Sequence, residues 1–113
     1  MAATAATAST PPEYFIEDGV HRAVAIRENG GGLIPARLFV PGQPPKLIFV
    51  RLDQLHSPRT SVSRSDPRHQ YGALEAALAD PKNRAAMRPV DIQPLGAAGQ
   101  PASVPLAQVQ IVK

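Results

Sequence analysis

The sequence predicts an α+β domain, a small mixed β-sheet that carries two or three short helices. Short apolar stretches recur along the chain, as at residues 47–50, and such stretches are typical of strands. Alanine-rich stretches with apolar residues at helical spacing lie between them, as at residues 72–80. Thirteen prolines and eight glycines supply the turns that join many short elements.

A flexible leader is predicted for residues 1–12, followed by one domain over residues 13–113. The first ten residues are mostly alanine and threonine, and two prolines follow them. This composition is typical of a linker with an added start codon and does not fit a signal peptide. We therefore expect the chain to be a module excised from the end of a longer protein.

In the first half, the patterns predict a strand, a helix and a hairpin. The strand covers residues 14–17, and the helix covers residues 20–29, where Gly30 begins the glycine run that ends it. Strands over residues 34–40 and 47–50 then form a hairpin with a loop of about five residues.

In the second half, helices and strands alternate again. Leu74, Ala77 and Leu78 form a stripe that is predicted to face the core, and Asp80 is the predicted cap of the next helix. The predicted elements are a helical turn at 51–55, a polar loop over 56–70, helices at 72–80 and 81–87, and strands at 89–95 and 104–112.

Composition excludes several classes of function. The chain has no cysteine, which excludes thiol catalysis, disulfides and thiolate metal sites. No apolar run approaches the length of a membrane span. The formal net charge is +3, and arginine outnumbers lysine, nine to three. These features are compatible with phosphate or nucleic-acid contact, although charge alone does not require it.

The turn between the first strand and the first helix predicts an anion site. Asp18 and Gly19 form the turn, and Val20, His21 and Arg22 open the helix. First-turn amides have no partner within the helix, and the helix dipole makes that end positive. The predicted ligand is the phosphate of a nucleotide or nucleic acid, held by the backbone at Gly19 and Val20. The alternative is an exposed turn whose His21 and Arg22 simply lie on the helix surface.

Several catalytic roles stay open for the side chains at this turn. His21 could act as general acid or general base, because its ordinary pKa is near neutral. Asp18 could hold a divalent metal, with Mg²⁺ the best suited, or act as a general base, or merely cap the helix.

Residues 16–30, followed by the Ile-Pro strand at 33–37, resemble the ParB/sulfiredoxin superfamily. That superfamily has a strand, a Gly-x-His-Arg or Gly-x-Arg-Arg turn, a helix with spaced alanines, a glycine and an Ile-Pro strand. A weaker resemblance covers residues 50–59, 72–79 and 88–95, which look like the half of the domain that usually comes first. The order here implies a circular permutation, which a fold tolerates when its original ends lie close together.

The resemblance narrows the expected function. Sulfiredoxins need a cysteine beside the turn, where this chain has Val20, and partition proteins need a helix-turn-helix for which no room remains. The remaining implication is a nuclease toxin module of a large secreted bacterial effector, delivered into a target cell and acting in its cytoplasm. It would cleave nucleic acid, DNA rather than RNA, and would have a cognate immunity protein.

Further binding residues are implied by the weaker half of the resemblance. Ser57, Arg59 and Thr60 match a segment that approaches the nucleotide, with Arg59 as a phosphate clamp or else a solvated arginine. Arg64 is a lesser candidate in the same basic stretch, where Arg64, Arg68 and His69 are expected to be mainly solvated. Two other functions stay open: a nucleotide switch that binds or hydrolyses CTP or ATP, and a non-catalytic interaction domain.

Overall fold

The computed structural model describes residues 11–113. The predicted leader therefore lies outside the described residues except for Pro11 and Pro12. The helices are α1 (Val20–Glu28), α2 (Tyr71–Ala77) and α3 (Pro81–Ala85), and 3₁₀ turns lie between strands at Leu52–Gln54 and Leu106–Gln108. The strands are β1 (Tyr14–Asp18), β2 (Leu33–Leu38), β3 (Lys46–Arg51), β4 (Leu55–Ser57), β5 (Ser61–Ser63), β6 (Val90–Pro94), β7 (Val104–Pro105) and β8 (Gln110–Val112).

Six of the strands form one mixed sheet in the order β3-β2-β6-β1-β4-β7, and β5 pairs with β8 in a second sheet. Parallel pairs are β1 with β4, β2 with β6 and β5 with β8. The predicted α+β class, a small mixed sheet with three short helices, is confirmed. Among the described residues, no helix is long and apolar enough to cross a membrane.

Helix α1 lies in the core of the molecule and is buried on most of its faces. Val20, Ala23, Val24, Ala25 and Ile26 are all buried. So many buried positions on a nine-residue helix leave little surface for solvent. The N-terminal end of this helix is consequently held in a fixed place relative to the sheet.

Strand β1 lies inside the sheet and ends at the start of α1. It pairs antiparallel with β6, and its register shifts between Ile16 and Asp18. Such a bulge bends a strand and redirects its side chains. Here it sets Asp18 opposite Asp91, at the end of the strand where the chain turns into the helix.

The polar loop predicted over residues 56–70 is wrong in its first half, which contains β4 and β5. Ser57 and Val62 are buried, and Val62 lies opposite Ile111 of β8. The burial comes from pairing with residues about fifty positions away, so the local polar composition did not reveal it.

The single strand predicted over residues 104–112 is also wrong. The chain forms β7, a 3₁₀ turn and β8 in succession, so that β7 pairs with β4 and β8 pairs with β5. Pro105 has no N–H to donate to a ladder, and it ends β7, which is the terminal strand of the sheet, where proline is tolerated. The predicted core stripe on α2 holds for Leu78, which is buried, and partly for Leu74, whereas Ala77 is exposed.

Candidate active site

The turn from β1 into α1 requires glycine. Gly19 is the N-cap of α1 and has a φ of +113°, in the left-handed region. A Cβ added there would lie 2.5 Å from Cγ1 of Val90 and 2.9 Å from Nη2 of Arg22. Glycine therefore lets the first turn of the helix approach β6 closely.

Arg22 ties this turn to the start of β6. Its Nη1 donates to the carbonyl oxygens of Arg88 at 2.6 Å and Pro89 at 3.0 Å, and its Nη2 donates to Oδ2 of Asp18 at 3.2 Å. Its side chain is only 13 % exposed. Burial, followed by the nearby charge of Arg88, lowers the pKa of Arg22. Arg22 thus fixes the geometry of the site, and three of its five N–H groups are used in doing so.

Asp18 binds arginine and does not cap the helix. Its Oδ2 accepts from Arg22 and also from Nη2 of Arg88, at 3.4 Å. The helix has no side-chain cap at its N-terminus, because the N-cap position is Gly19. The capping role considered from the sequence is therefore wrong, and the carboxylate is neutralised by two guanidinium groups.

His21 stacks on His69, which comes from the segment before α2. The two ring centroids are 3.9 Å apart and the ring planes differ by 15°. His21 is 9 % exposed. Burial, then the neighbouring His69 and Arg59, lower the pKa of His21 to about 4, against a smaller opposing effect of Asp66. His21 is consequently neutral at pH 7 and able to accept a proton.

A compact turn holds His69 in place. The backbone N–H of His69 donates to the carbonyl oxygen of Asp66 at 3.2 Å, and Asp66 is within 3.9 Å of the imidazole. The Asp66 carboxylate accepts from the backbone N–H, Nε and Nη2 of Arg68. These bonds lower the pKa of Asp66 to about 2, so it stays ionised throughout the neutral range.

These groups surround an open cavity of about 240 Å³, which we call the basic cavity. Three guanidinium groups, two imidazoles and one carboxylate line it together with Gly19, so positive charge predominates. Arginine forks of this kind suit phosphate oxygens. The polar side chains lining the basic cavity are those of Asp18, His21, Arg22, Arg68, His69 and Arg88.

The structure brings together four of the residues predicted from the sequence: Asp18, Gly19, His21 and Arg22. Val20 also lies at the turn, but its side chain is 6 % exposed and belongs to the core. Any contribution of Val20 to binding would therefore come from its backbone.

The second group of predicted residues lies outside the walls of the cavity. The Ser57 hydroxyl donates to the carbonyl oxygen of Arg59 at 2.7 Å and accepts from its N–H at 2.9 Å, so Ser57 shapes a turn. Arg59 is exposed, and its charge contributes to the lowered pKa of His21. Thr60 accepts from Gln110 through its carbonyl oxygen, and Arg64 pairs with Glu75 at 2.9 Å.

Sequence reasoning gave too little weight to His69, Arg68 and Arg88. The first two were predicted to be mainly solvated, and Arg88 was not considered as a site residue. One signal could have been found, because Asp66 followed by Pro67 is typical of a tight turn. The stacking of His69 on a residue forty-eight positions earlier has no local signature.

The donor set around Asp18 fits a metal poorly. Within residues 11–113, no group of three or more histidine, aspartate or glutamate side chains is arranged to hold a metal ion. Asp18 already faces two guanidinium groups, and Asp91 pairs with Arg37 at 3.2 Å. Mg²⁺ binds to carboxylates, and here the guanidinium groups would compete with it for them. The residues around Asp18 therefore disfavour the divalent metal that the sequence allowed there, and that prediction stays untested.

Comparison of the chain with protein-family models, with curated proteins and with solved structures finds no match.

Proposed function

We propose that this chain is a nuclease module that cleaves phosphodiester bonds of nucleic acid, DNA rather than RNA, in the basic cavity. The observation that supports it most is the stacked pair of His21 and His69 beside the guanidinium groups of Arg22 and Arg88. A neutral imidazole can accept a proton, and guanidinium groups can neutralise a phosphate. Hydrolysis of a phosphodiester uses both kinds of group.

In the proposed reaction, a water molecule attacks phosphorus while the bond from phosphorus to the leaving sugar oxygen breaks. His21 accepts the proton that the water loses, and the leaving oxygen takes a proton from solvent. Arg22 retains two N–H groups beyond its three hydrogen bonds, and Arg88 and Arg68 add further donors. These groups stabilise the charge that develops on the phosphate oxygens.

Substrate binding would itself activate His21. Its pKa of about 4 makes it a weak base in the free protein. A phosphate bound in the basic cavity favours the protonated imidazole and so raises that pKa. His21 therefore becomes a stronger base when the phosphate of the substrate is bound beside it.

The resemblance to ParB-like nucleases, the permuted order of the domain, delivery from a larger secreted protein and the cognate immunity protein belong to the same proposal. An immunity protein that blocks this activity would cover the basic cavity with acidic groups. A basic site and an acidic inhibitor attract each other over long range, which gives fast association.

The proposal is tested by incubating the purified chain with plasmid DNA, with RNA and with nucleoside triphosphates, in Mg²⁺ and in EDTA. We expect DNA cleavage that falls about 100-fold or more in His21→Asn, since loss of a general base has that effect. We expect His56→Asn to stay as active as wild type, because His56 lies outside the basic cavity, against Glu13. We also expect activity to persist in EDTA.

Three results would count against this account. Intact nucleic acid with saturable triphosphate binding would favour the nucleotide switch. Equal cleavage by wild type and His21→Asn would move the chemistry away from the basic cavity. Loss of cleavage in EDTA that Mg²⁺ restores would show that a metal takes part.

A further inference from the structure

The hairpin of β2 and β3 carries an apolar surface that the rest of the described chain leaves open. Leu33, Leu47 and Phe49 are 62 %, 66 % and 66 % exposed, and we call these three residues the hairpin patch. In the antiparallel register, Leu33 lies opposite Arg51 and Phe49 lies opposite Pro35, so the three side chains share one face of the hairpin. Large side chains exposed this far on neighbouring strands mark an interaction surface.

A groove runs beside the hairpin patch. It has a volume of about 430 Å³ and lies between the hairpin and α3, where Pro81, Arg84 and Ala85 form its other wall. Leu33 and Phe49 line it from the side of the sheet. Its lining is mainly apolar, so a partner would bury side chains there in addition to covering the patch.

The edge of β3 offers backbone hydrogen bonds next to these side chains. In the sheet of the described residues, β3 is the terminal strand and pairs only with β2. Pro35 has no N–H, so Pro35 and Phe49 cannot exchange hydrogen bonds, although they lie opposite each other. The N–H and C=O of Phe49 therefore point away from β2 towards the open edge. By the two-residue period of a strand, those of Leu47 do the same.

The charges around the hairpin patch are positive. Lys46 and Arg51 lie at the two ends of β3, and Arg84 lines the groove. Arg51 is paired with Asp53, whereas Lys46 and Arg84 make no ion pair with any described residue. No carboxylate lines the groove. An incoming segment with carboxylates would therefore meet uncompensated cations.

We propose that the hairpin patch and the open edge of β3 bind an extended, acidic segment of a partner protein, which pairs with β3 as an additional strand. Backbone pairing with the edge would supply affinity, alternate side chains would enter the groove and meet Arg84, and the side chains between them would lie on the face of Lys46. Residues 1–10 contain no aspartate or glutamate and do not match this charge.

A second copy of the chain is the other occupant to consider, and its charge fits less well. Strand β3 contains no carboxylate, so a second β3 strand at this edge would bring further cations and nothing to neutralise Lys46. An acidic segment supplies the missing negative charge.

The surface is separate from the basic cavity. Two strands, β2 and β6, lie between β3 and β1, which corresponds to about 14 Å at the usual strand spacing. The residues of the hairpin patch do not line the basic cavity. A partner seated on β3 would leave that cavity open, so the inference does not depend on the proposed nuclease activity.

The test is selection of peptides from a display library of random nine-residue sequences, with the whole chain as bait. We expect enrichment of sequences that alternate apolar residues and carry at least two carboxylates. We expect the best peptide to lose affinity about tenfold or more in Phe49→Pro, which removes the outward N–H and the ring without breaking a bond to β2. Phe49→Thr, which keeps the N–H, should lose less, and Arg84→Glu should weaken acidic peptides selectively.

Several outcomes would overturn the inference. One is a selection that yields no peptide, or mainly basic or neutral peptides. Another is equal affinity in wild type and Phe49→Pro, with circular dichroism showing that the variant is folded. A third is sedimentation of wild type as a dimer that Phe49→Pro dissociates, which would make a second copy the occupant.

Discussion

At the scale of single residues, Gly19 is under two constraints at once. Its φ of +113° disfavours any side chain, and the space that a Cβ would need is filled by Val90. Gly30 has a similar φ of +100°, but a Cβ there would meet nothing within 4 Å. An alanine at Gly19 would therefore meet both backbone strain and steric overlap, whereas an alanine at Gly30 would meet backbone strain alone.

We expect Gly19→Ala to lower the free energy of unfolding by about 2–5 kcal/mol, from strain and overpacking together. Gly30→Ala should cost about 1–2 kcal/mol, from strain alone. Urea denaturation of both variants and wild type measures the difference. Equal losses in the two variants would mean that β6 leaves enough space beside Gly19 for a Cβ.

Arg22 illustrates how a residue can be found from the sequence while its role is not. The turn sequence predicted an arginine near a phosphate, and Arg22 does line the basic cavity. Its strongest contacts, however, are with the carbonyl oxygens of Arg88 and Pro89, more than sixty positions away. Such contacts depend on the sheet order, which a local pattern does not contain.

At the scale of elements, the segment between β5 and α2 completes the site. It consists of polar residues, but the Asp66 carboxylate accepts three hydrogen bonds from Arg68 and its carbonyl accepts the N–H groups of His69 and Gln70. Gln70 is the N-cap of α2 and has a φ of +45°. The helix and the turn together present His69 to His21.

We expect Asp66→Asn to loosen this turn, because charge-assisted bonds to Arg68 would be replaced by weaker ones. Amide hydrogen exchange of His69 and Gln70 should accelerate about tenfold. The matched control is Asp53→Asn, which removes an exposed pair with Arg51 elsewhere. Exchange rates that stay at the wild-type value in Asp66→Asn would show that the turn does not depend on the carboxylate.

Elements with a strong local pattern could be predicted, and those formed by distant pairing could not. Residues 20–29 were predicted as a helix, and α1 covers Val20–Glu28, because its apolar spacing is regular. The cap at Asp80 is also confirmed, since its carboxylate accepts from the N–H of Lys82 at 2.9 Å. By contrast, β5 consists of only three residues, Ser61–Ser63, and forms because it pairs with β8.

At the scale of the whole molecule, the sheet order determines which charges meet. Strand β6 lies between β1 and β2, and this position brings Arg88 and Asp91 beside Asp18 and Arg37. The composition gives the net charge of +3, but it does not reveal that three arginines lie around one cavity. A circular permutation of the ParB/sulfiredoxin arrangement stays a prediction.

The most direct test of the central claim is the pKa of His21, measured by NMR of the imidazole with and without a phosphorothioate oligonucleotide that resists cleavage. Without ligand we expect a pKa of about 4, because burial and His69 disfavour the imidazolium. With the oligonucleotide bound, the pKa should rise, since phosphate favours that form. By linkage, the oligonucleotide should then bind more tightly as the pH falls from the raised pKa towards 4.

The matched control is Arg88→Gln, which removes one guanidinium group from the basic cavity and should weaken oligonucleotide binding and the accompanying rise. At constant pH, the NMR signals of the His56 ring should not move when the oligonucleotide binds, because His56 lies outside the cavity. A saturating oligonucleotide that leaves the pKa of His21 at its free value would contradict the claim that phosphate binds in the basic cavity.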